Sequence, residues 1–189
     1  MPDTGHLNSE ARIVQQAIQG DKQAFGQLYE MYTDRIFRYL FFRTSSEVVA
    51  EDLMCDVFFK AWSALPEFNL DKKHNNFKAW LYKIAHNTLI DHRRTLRPEI
   101  SIDQLVELQS VSEKPEKKIE DKDELSHLLE NLNILDDLSR QVLIHRFVAG
   151  LSHRETAALL GIREAHVRVI QFRAIKKMRE ISGDGYEGK

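Results

Sequence analysis

Residues 76–97, NFKAWLYKIAHNTLIDHRRTLR, decide how the chain is built. Phe77, Trp80, Leu81, Ile84, Ala85, Thr88 and Leu89 recur at three- and four-residue steps, which puts them on one side of a helix. Lys78, Lys83, His86, Asn87, Arg93, Arg94 and Arg97 fall mostly elsewhere on the cylinder. Pro98 predicts the stop, because proline breaks the hydrogen-bond ladder and drives its predecessor out of the helical region. One side is thus anchored in a core while the other offers positive charge and amide groups to a polyanion. A helix that reads nucleic acid needs both. A basic face that is merely solvated is the alternative, and this stretch alone does not separate the two.

Working back toward the N-terminus, LPEFNLDKKHNN (65–76) is a loop of turn formers and basic residues held between helices, a common place for function. Before it, residues 47–62 predict a helix with Val49, Leu53, Val57, Ala61 and Trp62 inward. Asp52, Asp56 and Lys60 step along another face, with Cys55 and Phe58 or Phe59 between the two sides. Asp21 predicts the cap of a long helix whose stripe is Phe25, Leu28, Tyr29, Tyr32, Ile36, Phe37 and Leu40. Residues 1–9 read as disordered, and Asn8 or Ser9 could cap a short helix ended by Gly20. Residues 10–97 together make one compact helical domain.

Working forward, residues 98–123 lose periodicity and are polar, mostly acidic and proline-punctuated, so they read as a flexible linker. Residues 124–181 form a second helical unit, followed by a tail at 182–189. Leu125, Leu128, Leu129 and Leu132 make one stripe. Asp136, Asp137 or Ser139 caps the next helix, in which Val142, Leu143, Ile144 and Phe147 are apolar. Ser152 with Glu155 has the spacing of a capping box, and Gly161 is a natural stop. A short helix, a glycine turn and a longer basic helix from Glu164 predict a helix-turn-helix. A plain helical hairpin with a solvated basic face is the alternative.

The 189 residues suffice for one ordinary domain or two small ones, and helical periodicity with little strand-like alternation predicts an all-α fold. The net charge of −2 hides segregation: −5 over 1–71, +6 over 72–97, −8 over 98–137, +2 over 138–151, +4 over 152–180 and −1 beyond. Two basic blocks flanking an acidic one suit nucleic acid held at two places, and acidic faces suit a basic partner. The single cysteine excludes an internal disulfide and supplies no metal framework. The start lacks a signal-peptide pattern and no apolar run approaches membrane-spanning length, so a cytoplasmic protein without membrane insertion is expected. An enzyme would have to be built from His86, Asp91 and His92 or from Asp52 and Asp56. No His-Glu-x-x-His, Walker loop or nucleophile elbow is present, so no catalytic residue, metal site or cofactor is expected.

AEDLMCDVFFKAW (50–62) followed by FKAWLYKIAHNTLIDHRR (77–94) closely resembles region two of bacterial sigma factors. LSRQVLIHRFVAGLSHRETAALLGI (138–162) with the basic helix after it resembles their region four. The two-domain layout, with only a polar linker between, is similar to the extracytoplasmic-function group of the sigma-seventy family. That resemblance implies a non-catalytic subunit that binds core RNA polymerase and opens promoters, is not an obligate homo-oligomer, and is controlled by an anti-sigma factor. A helix-turn-helix regulator that is no polymerase subunit would need only 124–181 and leave 50–97 unexplained.

Carried onto these residues, the resemblance implies polymerase docking through Glu51, Asp52, Asp56 and Lys60. It implies capture of the melted minus-ten strand by a pocket of Phe68, Asn69, His74, Asn75 and Asn76, where an aromatic can recover part of the unstacking cost. Lys72, Lys73, Lys83, His86, Asn87, Arg93, Arg94 and Arg97 would contact its backbone or bases, with Asn87 the favoured reader because its amide both donates and accepts. Trp62 and Trp80 read as core. For the minus-thirty-five duplex, Arg163, Glu164, His166, Arg168 and Gln171 would meet base edges, and Arg154, Arg173, Lys176 and Lys177 phosphates. The chain departs from the family pattern at Asp136, where proline is common, at Arg163, usually a serine or threonine cap, and at Thr156, usually a large aliphatic. Val169, Ile170, Phe172 and Ile175 make the last helix unusually apolar, implying that an anti-sigma protein or the first domain covers it.

Overall fold

The computed structural model describes residues 4–70, 76–96 and 130–181, with side chains from Ser9 onward, and among them there is helix and turn but no strand. The chain divides into two compact units. Lys72, Lys73, His74, Asn75, Arg97, the linker, the stripe Leu125, Leu128 and Leu129, and the tail lie outside the described residues.

The first unit holds α1 (Thr4–Ile18), α2 (Lys22–Thr44), α3 (Glu47–Ala64), a 3-10 turn (Leu65–Glu67) and α4 (Phe77–Thr95). α1 begins ahead of both caps expected for it, so part of the stretch read as disordered is helical. Tyr32 Oη donates to Glu10 Oε1 at 2.7 Å and ties α1 to α2. Asp21 caps α2 as expected, its carboxylate accepting from the backbone N–H groups of Gln23 and Ala24. α2 closes on Ser45 at φ 55°, a left-handed turn that lets the Ser45 N–H reach the Phe41 carbonyl at 2.8 Å. Ser46 then caps α3 and Asn76 caps α4 through Oδ1 to the Ala79 N–H at 2.7 Å.

Helices α2, α3 and α4 pack around an aromatic core. Tyr32 lies edge-on to Phe77, Tyr39 edge-on to Tyr82, and Phe25 to Trp62. On α2 the buried stripe is Ala24, Leu28, Tyr32, Ile36, Tyr39 and Leu40, with Phe42 and Arg43 also inside. Tyr29, placed on that stripe by spacing, is instead partly exposed against Phe58. Burial pushes the Tyr82 hydroxyl up to about 12 and raises that of Tyr39, so both stay neutral at any physiological pH.

The second unit starts with the helical residues 130–133. It continues through α5 (Asp137–Leu143), a π turn (Ile144–Val148), α6 (His153–Leu160) and α7 (Glu164–Ile181). Of the caps open to α5, Asp136 is the one used: its Oδ1 accepts from the Ser139 N–H at 2.9 Å, and hydrogen bonding to the Ser139 side chain, then to this N–H, holds its carboxyl below the usual range. Ser152 and Glu155 form the full capping box of α6. Gly161, at φ 66°, ends α6 in a left-handed turn that a side chain would strain. Val142, Ala157, Val167 and Ile170 make the core, sealed by Leu138, Leu160 and Ile162. Phe147, apolar like Val142, Leu143 and Ile144 before it, is 61% exposed, because the π turn adds a residue and rotates the side chains of its own last turn.

Candidate nucleic-acid interface

On α4 the buried face is Phe77, Leu81, Tyr82, Ala85, His86, Thr88 and Leu89. Lys83, Asn87, Ile90 and Arg94 line up on the opposite, exposed side. Between Lys83 and Arg94 that strip runs about 16 Å at ~1.5 Å per residue. Arg93 and Arg94 sit in the last turn, where cations favour the negative end of the helix. Arg93 Nη2 donates to the Arg43 carbonyl at 2.9 Å, so this arginine braces the end of α4 on the end of α2.

Two residues expected on nucleic acid are core residues instead. His86 is buried, with Nδ1 3.4 Å from Tyr39 Oη. Its position in the helix faces α2, and the inward-turned Tyr39 draws the imidazole in as a polar partner. Phe68 is buried between Phe77 and Trp80, with ring centroids 6.1 and 4.8 Å away. Immediately after the 3-10 turn, it roofs the aromatic core and leaves no face for a stacked base. Asn69 and Asn76 remain exposed, the latter serving as the α4 cap.

α3 turns a different surface outward. Glu51, Asp52, Cys55, Asp56, Phe59 and Lys60 are all exposed. Asp52 and Asp56 stand one turn apart beside Phe59 at 72% exposure and Val48 at 68%. The periodicity left Phe58 or Phe59 between the two sides of the helix and did not place Val48. Lys60, expected to dock a partner, donates through Nζ to Thr88 Oγ1 at 3.1 Å and so braces α3 on α4. Phe58, not Phe59, is the residue that goes inside.

In the second unit α7 buries Val167, Ile170 and Ala174. Arg163, His166, Arg168, Arg173, Lys176 and Lys177 are exposed, as is Arg154 on α6. Arg163 begins α7 with its carbonyl, which accepts from Val167 N–H at 3.1 Å, leaving the guanidinium in solvent. Glu164 and Arg168 pair at 2.7 Å across one turn, an exposed contact of little energetic weight. Lys177 Nζ donates to the Ile134 carbonyl at 3.1 Å.

Gln171 departs from its expected place at base edges. It is half-buried, with Oε1 accepting from Arg146 Nε at 3.0 Å. Arg146 also donates to the Leu151 carbonyl ahead of α6, while its bond to Gln171 ties the π turn to α7. Partial desolvation, then the Arg146 and Arg168 guanidiniums, hold the His153 imidazole below its ordinary range. Arg146 carried no signal in the sequence, because only the π turn aims it at α7. The apolar surplus of α7 also divides: Ile170 is core and Ile175 half-buried, while Val169 and Phe172 face solvent.

Residues 28–99 match Sigma-70 region 2, and residues 132–180 match Sigma-70 region 4. The ECF RNA polymerase sigma factor SigD of Mycobacterium tuberculosis is 32% identical over 174 residues, covering 89% of this chain and 81% of SigD. The chain belongs to the ECF sigma factors. This sigma factor is also similar to BldN of Streptomyces coelicolor, 29% identical over 174 residues; the match takes in 91% of this chain but only 65% of BldN. A solved structure of CnrH in complex with the cytosolic domain of CnrY shares the fold at a TM-score of 0.70. It is 26% identical, and the match covers 93% of this chain and 98% of that one. Sigma factors are non-catalytic specificity subunits for transcription initiation, and the second unit is their helix-turn-helix, α6 and α7. Among the described residues no helix is long and apolar enough to cross a membrane, and no cluster could hold a metal ion.

Proposed function

We propose that this sigma factor binds core RNA polymerase in the cytoplasm, directs it to promoters and helps open the duplex. The observation that supports this most is that two helices in separate units, α4 and α7, each carry cations opposite a buried face, while α3 turns an acidic one outward. α7 enters the major groove of the minus-thirty-five element. Arg163, Glu164, His166 and Arg168 meet base edges near its start, and Arg154, Arg173, Lys176 and Lys177 hold phosphates. Gln171 supports that helix from behind. α4 takes the melted minus-ten strand along Lys83, Asn87 and Arg94, with Asn69 and Asn76 at its head, and Lys72, Lys73, His74, Asn75 and Arg97 are assigned contacts to the same strand. Asn87 reads a base, because its exposed amide can donate and accept together.

Glu51, Asp52 and Asp56 dock on basic groups of the polymerase, with Val48 and Phe59 supplying apolar contact at the same place. An anti-sigma factor holds the chain in check, a reading supported by its similarity to CnrH, which was solved in complex with the cytosolic domain of CnrY. No obligate homo-oligomer is required. The test is a run-off assay with core polymerase, this chain and a promoter library. Promoter-dependent transcripts that vanish without the chain are expected. Duplex binding by the chain without any effect on transcription would favour an ordinary helix-turn-helix regulator instead.

A further inference from the structure

Apart from Ile181 at its end, α7 leaves two large apolar side chains in solvent: Phe172, 71% exposed, and Val169, 45% exposed. Three residues apart, they share one strip of the helix surface. Ala165 continues the strip one turn toward the start of α7 and Lys176 one turn toward its end, both exposed. Arg168 and Arg173, also exposed, flank it on either side. The strip lies opposite Val167, Ile170 and Ala174, the residues that pack α7 onto its unit. It is therefore the outermost line of the helix, and the first that anything approaching α7 meets.

Two side chains framed by cations make a strip, well short of the several hundred Å² of contiguous apolar surface that marks a protein-binding patch. The surrounding charge fits a polyanion. A helix about 10–12 Å across enters a major groove about 12 Å wide with that line against the base edges. There, the one apolar group that any base presents is the C5 methyl of thymine. We propose that Phe172 and Val169 read thymine methyl groups in the duplex bound by α7, with Arg168 and Arg173 on either side fixing the helix in the groove. Other base edges at the same positions would have donors or acceptors covered by carbon and left unpaired, so the strip also discriminates against them. The inference rests on the reading of α7 as the duplex-facing helix and adds which feature of the sequence it recognises.

The test uses polymerase reconstituted with the full chain to select duplexes from a randomised library. The winning duplex is then remade with deoxyuridine at one thymidine position at a time, which removes only a methyl group. Wild type should bind three- to fivefold more weakly at one or two upstream positions, roughly the factor for losing one methyl-sized apolar contact. Phe172→Ala or Val169→Ala should bind the two forms of such a position equally, while Phe172→Leu keeps part of the difference. Both side chains are solvent-facing, so the variants should fold, and unchanged thermal melting verifies it. If wild type ignores the methyl everywhere, or the alanine variants keep the full difference, the proposal is overturned although duplex recognition survives, and a protein becomes the occupant of the strip. If no upstream sequence is enriched at all, the duplex reading of α7 falls and takes the proposal with it.

Discussion

α4 and α7 are both cation-bearing helices anchored by one side, yet they are built differently on both sides. α4 is held by aromatic and large aliphatic residues, Phe77, Leu81, Tyr82 and Leu89, and its outer strip is mainly polar, Lys83, Asn87 and Arg94. α7 is held by aliphatic residues alone, Val167, Ile170 and Ala174, with no aromatic among them, and its outer strip mixes Val169 and Phe172 with arginine and lysine. A polar strip suits single-stranded bases, whose hydrogen-bonding edges are free to be met. A mixed strip suits a groove, where charge meets phosphate and carbon meets methyl. Similar net charge on two helices therefore does not mean similar recognition.

The largest effect should come from the anchoring side. Leu81→Ala should cost about 3 kcal/mol, since Leu81 is fully enclosed, whereas Ile170→Ala at the rim of a smaller core should cost about 2 kcal/mol. Denaturant unfolding of each variant measures both, and equal losses would erase the distinction between the two anchors. Charge reversal on α3, Asp52→Lys with Asp56→Lys, should weaken core polymerase binding about a hundredfold while changing stability by less than about 0.5 kcal/mol. Retained affinity would remove that face from the interface.

Asn87→Ala comes next. It should slow promoter opening about tenfold, the kinetic equivalent of one lost hydrogen bond, and spare polymerase binding. The smallest effect concerns the cap of α5. Asp136→Ala should cost about 1 kcal/mol at pH 7. The Asp136 carboxyl lies below its ordinary range when folded, so its contribution is present above about pH 3.9 and fades as the pH falls through the folded value. The gap between wild type and variant should therefore close in acid; a gap independent of pH would mean that the carboxylate is not the cap.

Much of this was legible in residue order. Phe77, Leu81, Ala85, Thr88 and Leu89 inside on α4, the caps at Asp21 and Ser152, and the stop at Gly161 follow from spacing and side-chain chemistry, which act over a few residues. Tyr82, by contrast, was not placed inside, and the α5 cap stayed open among Asp136, Asp137 and Ser139. The parts that stayed hidden depend on contacts far along the chain. Tyr39 and His86 meet across 47 positions, and that contact makes a core residue of a histidine expected on the surface. Phe68 reads as a stacking platform until Phe77 and Trp80 close over it. The π turn at 144–148 rotates Phe147 outward and Arg146 inward, and nothing in the local pattern announces it. Glu51, Asp52 and Asp56 were identified as exposed charge, but Val48 and Phe59 beside them were not.

The most direct measurement is a footprint of the reconstituted polymerase on one promoter, with permanganate to mark unpaired thymines. Arg173→Ala with Lys176→Ala should erase protection upstream, while Lys83→Ala with Asn87→Ala should leave that protection and lose the permanganate signal downstream. Identical failures from the two pairs, or no footprint dependent on this chain, would contradict a sigma factor that grips duplex with α7 and melted strand with α4.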